Sequence, residues 1–302
     1  MRNTSKGLIC ALALMTQFAV AQELEPRRWS HLPVGANFAG AGYAYTESDI
    51  FFNPTLQLED VTGEVHTTIL AYTRVLDVFG KTGRFDVALP YSVGRWEGLL
   101  QGQPASTRRS GFGDPRFRFA VNVLGPPAQR GAAFRPADAG TIVGVALEVV
   151  APLGEYIDDR LINLGKNQWV FRPQAGVVHS WNKWAAEITG SAWLYTENDD
   201  FDVDKTRDQD PLFSLQGHLI YTFRPGLWAS LSGAYGGGGR SSIDGLPLSD
   251  RTEKYLLALS LGLPIDRRQG VKVAYMRGET LADTGNDFGR IIVAYSIMWG
   301  GP

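Results

Sequence analysis

Residues able to do acid–base, nucleophilic or metal chemistry are few in this chain, and they are scattered. Histidine occurs as His31, His66, His179 and His218, and the only cysteine is Cys10. No two histidines stand at the i, i+4 spacing that would put both imidazoles on one helix face. A lone cysteine cannot build a thiolate zinc site. His179 and Ser180 are neighbours, but adjacent residues of an extended chain point to opposite faces, so they form no dyad. There is no Gly-x-Ser-x-Gly elbow, and Gly236 to Gly239 is not followed by the Lys-Ser/Thr of a phosphate loop. No catalytic residue, no cofactor and no metal is expected. A membrane-embedded lipid hydrolase is the weakest of the readings considered.

The remaining polar chemistry is carried by charges set into alternating segments. Arg84 and Asp86 alternate with Phe85, Val87 and Leu89. Arg116 and Arg118 alternate with Phe117, Phe119 and Val121. Arg290 precedes Ile291, Val293, Tyr295, Ile297 and Trp299, which alternate with Ile292, Ala294, Ser296 and Met298. Period two demands strands with one face apolar and the other polar or small. The polar set is read as Glu64, His66, Tyr72, Arg74, Arg84, Asp86, Arg116, Arg118, Glu148, Arg172, Gln174, Glu187, Gln216, His218, Lys272 and Arg290. If the apolar faces meet lipid, these groups line a lumen. An Arg or Lys at the lipid midplane would cost about 2–4 kcal/mol.

Such charges need strands to hold them. Strands are expected near 34–46, 63–79, 84–96, 113–124, 140–152, 168–181, 184–197, 209–223, 227–238, 252–265, 270–279 and 288–299. About twelve antiparallel strands form a closed transmembrane β-barrel. The connections alternate: Gly80 to Gly83, Asn182-Lys183, Arg224-Pro225-Gly226 and Asp266 to Gln269 are tight, whereas the segments near 47–62, 97–112, 153–167, 198–208, 239–251 and 280–287 are long and polar. Short turns at one end and long loops at the other are the plan of an outer-membrane barrel, with periplasmic turns and extracellular loops. The connection 125–139 is an exception, long at the short-turn end.

The domain reading is a signal peptide at 1–21, a periplasmic segment at 22–33 and an outer-membrane barrel at 34–302. Arg2 and Lys6 precede the apolar run Leu8 to Met15, and Ala19-Val20-Ala21 is a small-x-small cleavage site. Mass spectrometry of the membrane-extracted protein should find Gln22, cyclised or not, as its first residue; retained Met1 to Ala21 would contradict this. Arg27, Arg28 and Trp29 are expected to snorkel at the inner rim in preference to folding inward as a plug. With 302 residues, 44% hydrophobic, 11% aromatic and a net charge of −2, the chain is neither a disordered one nor a nucleic-acid binder.

Several segments resemble a family named for the MetA pathway of phenol degradation and grouped with outer-membrane β-barrel transporters. They are Glu25 to Phe38, Gly111-Phe112-Gly113-Asp114-Pro115-Arg116, Ala151-Pro152-Leu153-Gly154-Glu155-Tyr156 and, most tellingly, Asn163 to Pro173. The resemblance covers essentially the whole mature chain. It implies an outer-membrane channel for passive passage of small molecules, hydrophobic or aromatic ones among them, and no catalysis. One departure is Gly300-Gly301-Pro302 after Trp299, where many such barrels finish on the aromatic. Outer-membrane lipid, small solutes and the barrel-insertion machinery are the expected partners. The competing reading is a closed-lumen structural or surface-binding barrel.

Overall fold

The computed structural model describes residues 24–52, 57–135, 139–160, 162–202 and 204–300. The signal-peptide reading falls outside these residues. Among them the chain is almost wholly β. Its strands are β1 (Asn37–Phe51), β2 (Leu58–Val78), β3 (Lys81–Leu100), β4 (Gln103–Phe112), β5 (Arg116–Leu124), β6 (Gly140–Val150), β7 (Val170–Trp181), β8 (Trp184–Tyr195), β9 (Asn198–Phe201), β10 (Lys205–Gln209), β11 (Leu212–Arg224), β12 (Leu227–Gly238), β13 (Ser241–Ile243), β14 (Leu246–Pro247), β15 (Thr252–Pro264), β16 (Gln269–Thr280) and β17 (Gly285–Trp299).

β1 pairs antiparallel with both β2 and β17, and pairing continues through β16, β15, β12, β11, β8, β7, β6 and β5 to β3, which returns to β2. β4 and β5 share β3 end to end, with Gly113 to Pro115 between them, so twelve strands close the circumference. Closure removes both sheet edges, which is the condition for a sheet to live in lipid. The all-β barrel expected from the alternation is therefore the fold. A second sheet, in the order β14-β13-β10-β9, stands at the long-loop end.

Two sequence expectations are corrected locally. The segment 97–112, read as a loop, continues β3 and turns back as β4. Gln101 (φ 54°) and Gly102 (φ 73°) are both left-handed and make a two-residue hairpin. Gln-Gly is a weaker turn signal than Asn-Gly, so the hairpin was not legible. Likewise the β2–β3 turn lies at Phe79-Gly80, two residues before the middle of the expected turn, with Phe79 left-handed and exposed.

Outward faces carry Leu70, Phe119, Leu147, Ile188, Leu219, Leu231, Leu259 and Ile291, all exposed. Aromatics flank this band. Trp184 meets Tyr221 at 4.7 Å and Tyr221 meets Phe223 at 4.8 Å near the short turns. Tyr91 meets Phe112 at 5.1 Å near the long loops. An aliphatic belt between two aromatic girdles is the surface lipid selects.

Candidate functional site

The inner faces follow from the register, because directly opposed residues share a face. Asp86 opposes Arg118, Arg118 opposes Glu148, Glu148 opposes Arg172, and His218 opposes both Glu187 and Ser232. These residues point inward with Arg84, Arg116, Lys272 and Arg290. Asp86, Arg118, Glu148 and Arg172 form a charge ladder across β3, β5, β6 and β7. Arg84 Nε lies 2.6 Å and Arg118 Nη1 3.2 Å from Asp86, and Arg172 Nη1 lies 3.3 Å from Glu148. Arg118 Nε also donates to Gln174 Oε1 at 2.7 Å. His218 Nδ1 and Ser232 Oγ share a 2.8 Å hydrogen bond. Paired in this way, buried charges avoid the penalty of isolation.

Glu64, His66 and Arg74, with Tyr72, do not join them. The register aligns them with the outward residues Glu47, Tyr45, Asn37 and Ala39 of β1, and places them outside. His66 Nδ1 is 2.6 Å from Tyr43 Oη, and both side chains are exposed. Arg74 Nη1 and Tyr72 Oη donate to Asn37 Oδ1 beside the exposed Trp299. The physical reason is strand length. β2 has 21 residues, about twice the 9–11 that cross a bilayer, so outward charges near its ends clear the apolar band. Its inward face, with Val65, Ile69 and Val75, is the more apolar one, which inverted the reading.

The larger correction concerns the segment before β1. Residues 24–33 lie inside the barrel as a plug, and Arg27, Arg28 and Trp29 are not at the rim. Trp29 is 0% exposed. Its indole N–H donates to Thr189 Oγ1 at 2.8 Å, its carbonyl accepts from Asn122 Nδ2 at 3.3 Å, and the Arg118 guanidinium sits 5.0 Å from the ring centroid. Ala120, Ile142 and Val178 complete the pocket. Gly144 and Gly176 open it: a Cβ on either would come within 2.1 Å of the indole. The Arg27 backbone N–H donates to Glu187 Oε2 at 3.1 Å, and its guanidinium lies 5.4 Å from the Trp228 ring centroid. Arg28 reaches Glu148 at 3.7 Å and Glu25 at 3.0 Å. Where the chain enters the barrel, His31 bonds Thr82 at 3.2 Å and stacks on Phe134 of the long 125–139 connection. That connection is long because it clamps the plug: Val34 N–H donates to the Gln129 carbonyl at 2.8 Å.

Beside the plug the lumen holds open space. A cavity of about 610 Å³ lies against β1, β2, β3, β16 and β17. Its walls mix small residues, among them Gly40, Gly42, Ala44, Thr67, Ala71 and Ala294, with larger apolar ones such as Val65, Ile69, Trp96 and Met276, and Arg84, Arg116, Lys272 and Arg290 also face it. Leu24 and Glu25 of the plug border it on one side, and Ile162, Asn163 and Leu164 on the long-loop side.

Three of the motif segments meet at that mouth. Asp114 accepts the Gly154 N–H at Oδ1 and the Lys166 N–H at Oδ2, each at 2.9 Å. Glu155 N–H donates to the Phe112 carbonyl, and Gly165 N–H to the Glu155 carbonyl. Asp114 therefore ties the 151–169 loop to the barrel, beyond capping its own turn. Burial raises its carboxyl above the ordinary range, and the two amide bonds oppose the shift. Sequence reasoning missed Leu24 and Glu25 as lumen groups, and no local pattern marks Gly144 and Gly176 as a socket.

Comparison with known proteins agrees with this geometry. The structure is similar to the crystal structure of an outer membrane channel from Pseudomonas putida F1, at TM-score 0.77 and 25% identity, over 92% of this chain and 100% of that one. It is also similar in fold to the beta domain of the Bordetella autotransporter Brka, at TM-score 0.52 and 11% identity, over 87% and 100% of the two chains. No curated protein sequence matches. The sequence profile described as "Putative MetA-pathway of phenol degradation" matches residues 53–283, from the first long loop to the last. With its lipid-facing belt, its plugged lumen and its loop tied at Asp114, the chain belongs to that family and is an outer-membrane β-barrel channel of a Gram-negative bacterium.

Proposed function

We propose that small solutes, apolar and aromatic ones among them, cross the outer membrane passively through the eccentric lumen beside the plug. The observation that carries this reading is the cavity of about 610 Å³ beside the plug, lined by small and apolar side chains. Pockets of roughly 300–1,000 Å³ enclose ligands of small-molecule size. The family's description supports aromatic solutes. Outer-membrane lipid covers the outward belt, and the barrel-insertion machinery receives the strand ending at Trp299.

Cations dominate the charged groups at the cavity wall. Arg84, Arg116, Lys272 and Arg290 face Glu25 and the loop-tied Asp114. Fields in a confined lumen are screened less than in bulk, and arginine stays protonated. Purified protein in a planar bilayer should therefore show current with a mild anion preference. Replacing both Arg116 and Arg290 by Gln should move the reversal potential in a salt gradient toward cation preference. Arg118 is a poor target for this test, because it is locked between Trp29, Asp86 and Gln174. Absence of any current would favour the closed, surface-binding reading. Current with an unmoved reversal potential would place the constriction elsewhere.

A further inference from the structure

The part of the plug that borders the cavity carries two side chains, Leu24 and Glu25, into it. Leu24 is buried against Leu256, Ala258, Met276 and Phe288 of the wall. Glu25 has a 41% exposed side chain although the barrel surrounds it, because it faces the empty volume. Its carboxylate pairs with Arg28, and Lys272 and Arg84 line the same cavity from the wall. Arg28 is held from its other side by Glu148, so the cationic seat persists if the Glu25 carboxylate leaves. An apolar group beside one carboxylate, seated on an apolar patch beside cations, is the outline of a small organic acid.

We infer that Leu24-Glu25 is a tethered stand-in for the solute, and that the lumen's preferred ligands are small carboxylates with an apolar body. This rests on the channel reading and names the solute class for the same lumen. The tethered carboxylate competes with a free one. A competitor that holds the seat about nine-tenths of the time lowers apparent affinity about tenfold.

The test is calorimetric titration of the full-length, detergent-solubilised protein with sodium benzoate, and with benzyl alcohol as the uncharged counterpart. Glu25→Gln should raise benzoate affinity about tenfold over wild type and leave benzyl alcohol within twofold. Glu25→Asp, which keeps the competing charge, should behave as wild type and controls for folding. Adding Lys272→Gln to Glu25→Gln should take most of the gain away. Equal benzoate affinity in Glu25→Gln and wild type overturns the inference, as does a parallel rise for benzyl alcohol, which would report a loosened plug. Potassium chloride current in a bilayer separates the two readings. Current without the Glu25→Gln gain overturns the inference and leaves the channel; the gain without current supports the carboxylate seat and overturns the channel.

Discussion

Trp29→Ala is expected to convert a narrow, steady pore into a wider and noisier one, with a several-fold larger single-channel current. Trp29 is fully buried, with its indole N–H bonded to Thr189 and Arg118 over its ring. Truncating a buried Trp to Ala costs about 3–5 kcal/mol. That loss falls on the docking of a short segment, because the barrel walls are hydrogen-bonded strand to strand without it. A change of this size alters the docked-to-released ratio by more than about a hundredfold. Gly176→Ala should reproduce the effect with the tryptophan intact, since its Cβ would lie 2.1 Å from the indole nitrogen. Both barrels should still refold and resist protease in the strands. If both variants conduct as wild type does, the plug is not what limits the current.

Leu70→Arg and Ala71→Arg, adjacent on β2 and at the same depth, should differ sharply in stability. Leu70 is 57% exposed on the outward face, between Ala41 and Leu89. An arginine there meets hydrocarbon, at about 2–4 kcal/mol near the midplane. Ala71 lines the cavity beside Gly40 and Ala88, so an arginine there finds water and space. Urea titrations of folding into bilayers should show the full cost for Leu70→Arg and a small one for Ala71→Arg. The alternation by itself suggests the opposite assignment for this strand, so equal or reversed costs would reject the register of β1, β2 and β3.

β2 also shows where alternation stops being informative. Period two divides Glu64, His66, Tyr72 and Arg74 from Val65, Ile69 and Val75, and it does so correctly. It does not say which set is inside. On most strands hydrophobicity decides, because the midplane tolerates no charge and strands such as β15 scarcely exceed the bilayer. On β2 the extra length lifts Glu64 and His66 beyond the apolar band. The cavity and the Val34-Ala36 contact then give its inner face an apolar role. Depth along the strand, which no residue pattern encodes, settles the question.

The barrel is written in local residue patterns. Repeated alternation set the strands, turn chemistry at Asn182-Lys183 and Pro225-Gly226 set the short end, and the charged inner ladder from Arg84 to Arg172 followed from face-sharing. These are local properties, fixed by neighbours two residues apart. What fills the barrel is set by contacts between residues distant along the chain. Trp29 finds its place through Thr189, Gly144, Gly176 and Arg118, which lie between 89 and 160 residues away in sequence. Glu25 finds its charge environment through Arg28 in the plug and Lys272 on the inward face of β16. A plug has no period, and its energy comes from contacts that exist only after the wall has closed. For the same reason Asp114, Gly154 and Lys166 read as three separate motifs along the chain and as one tie at the mouth.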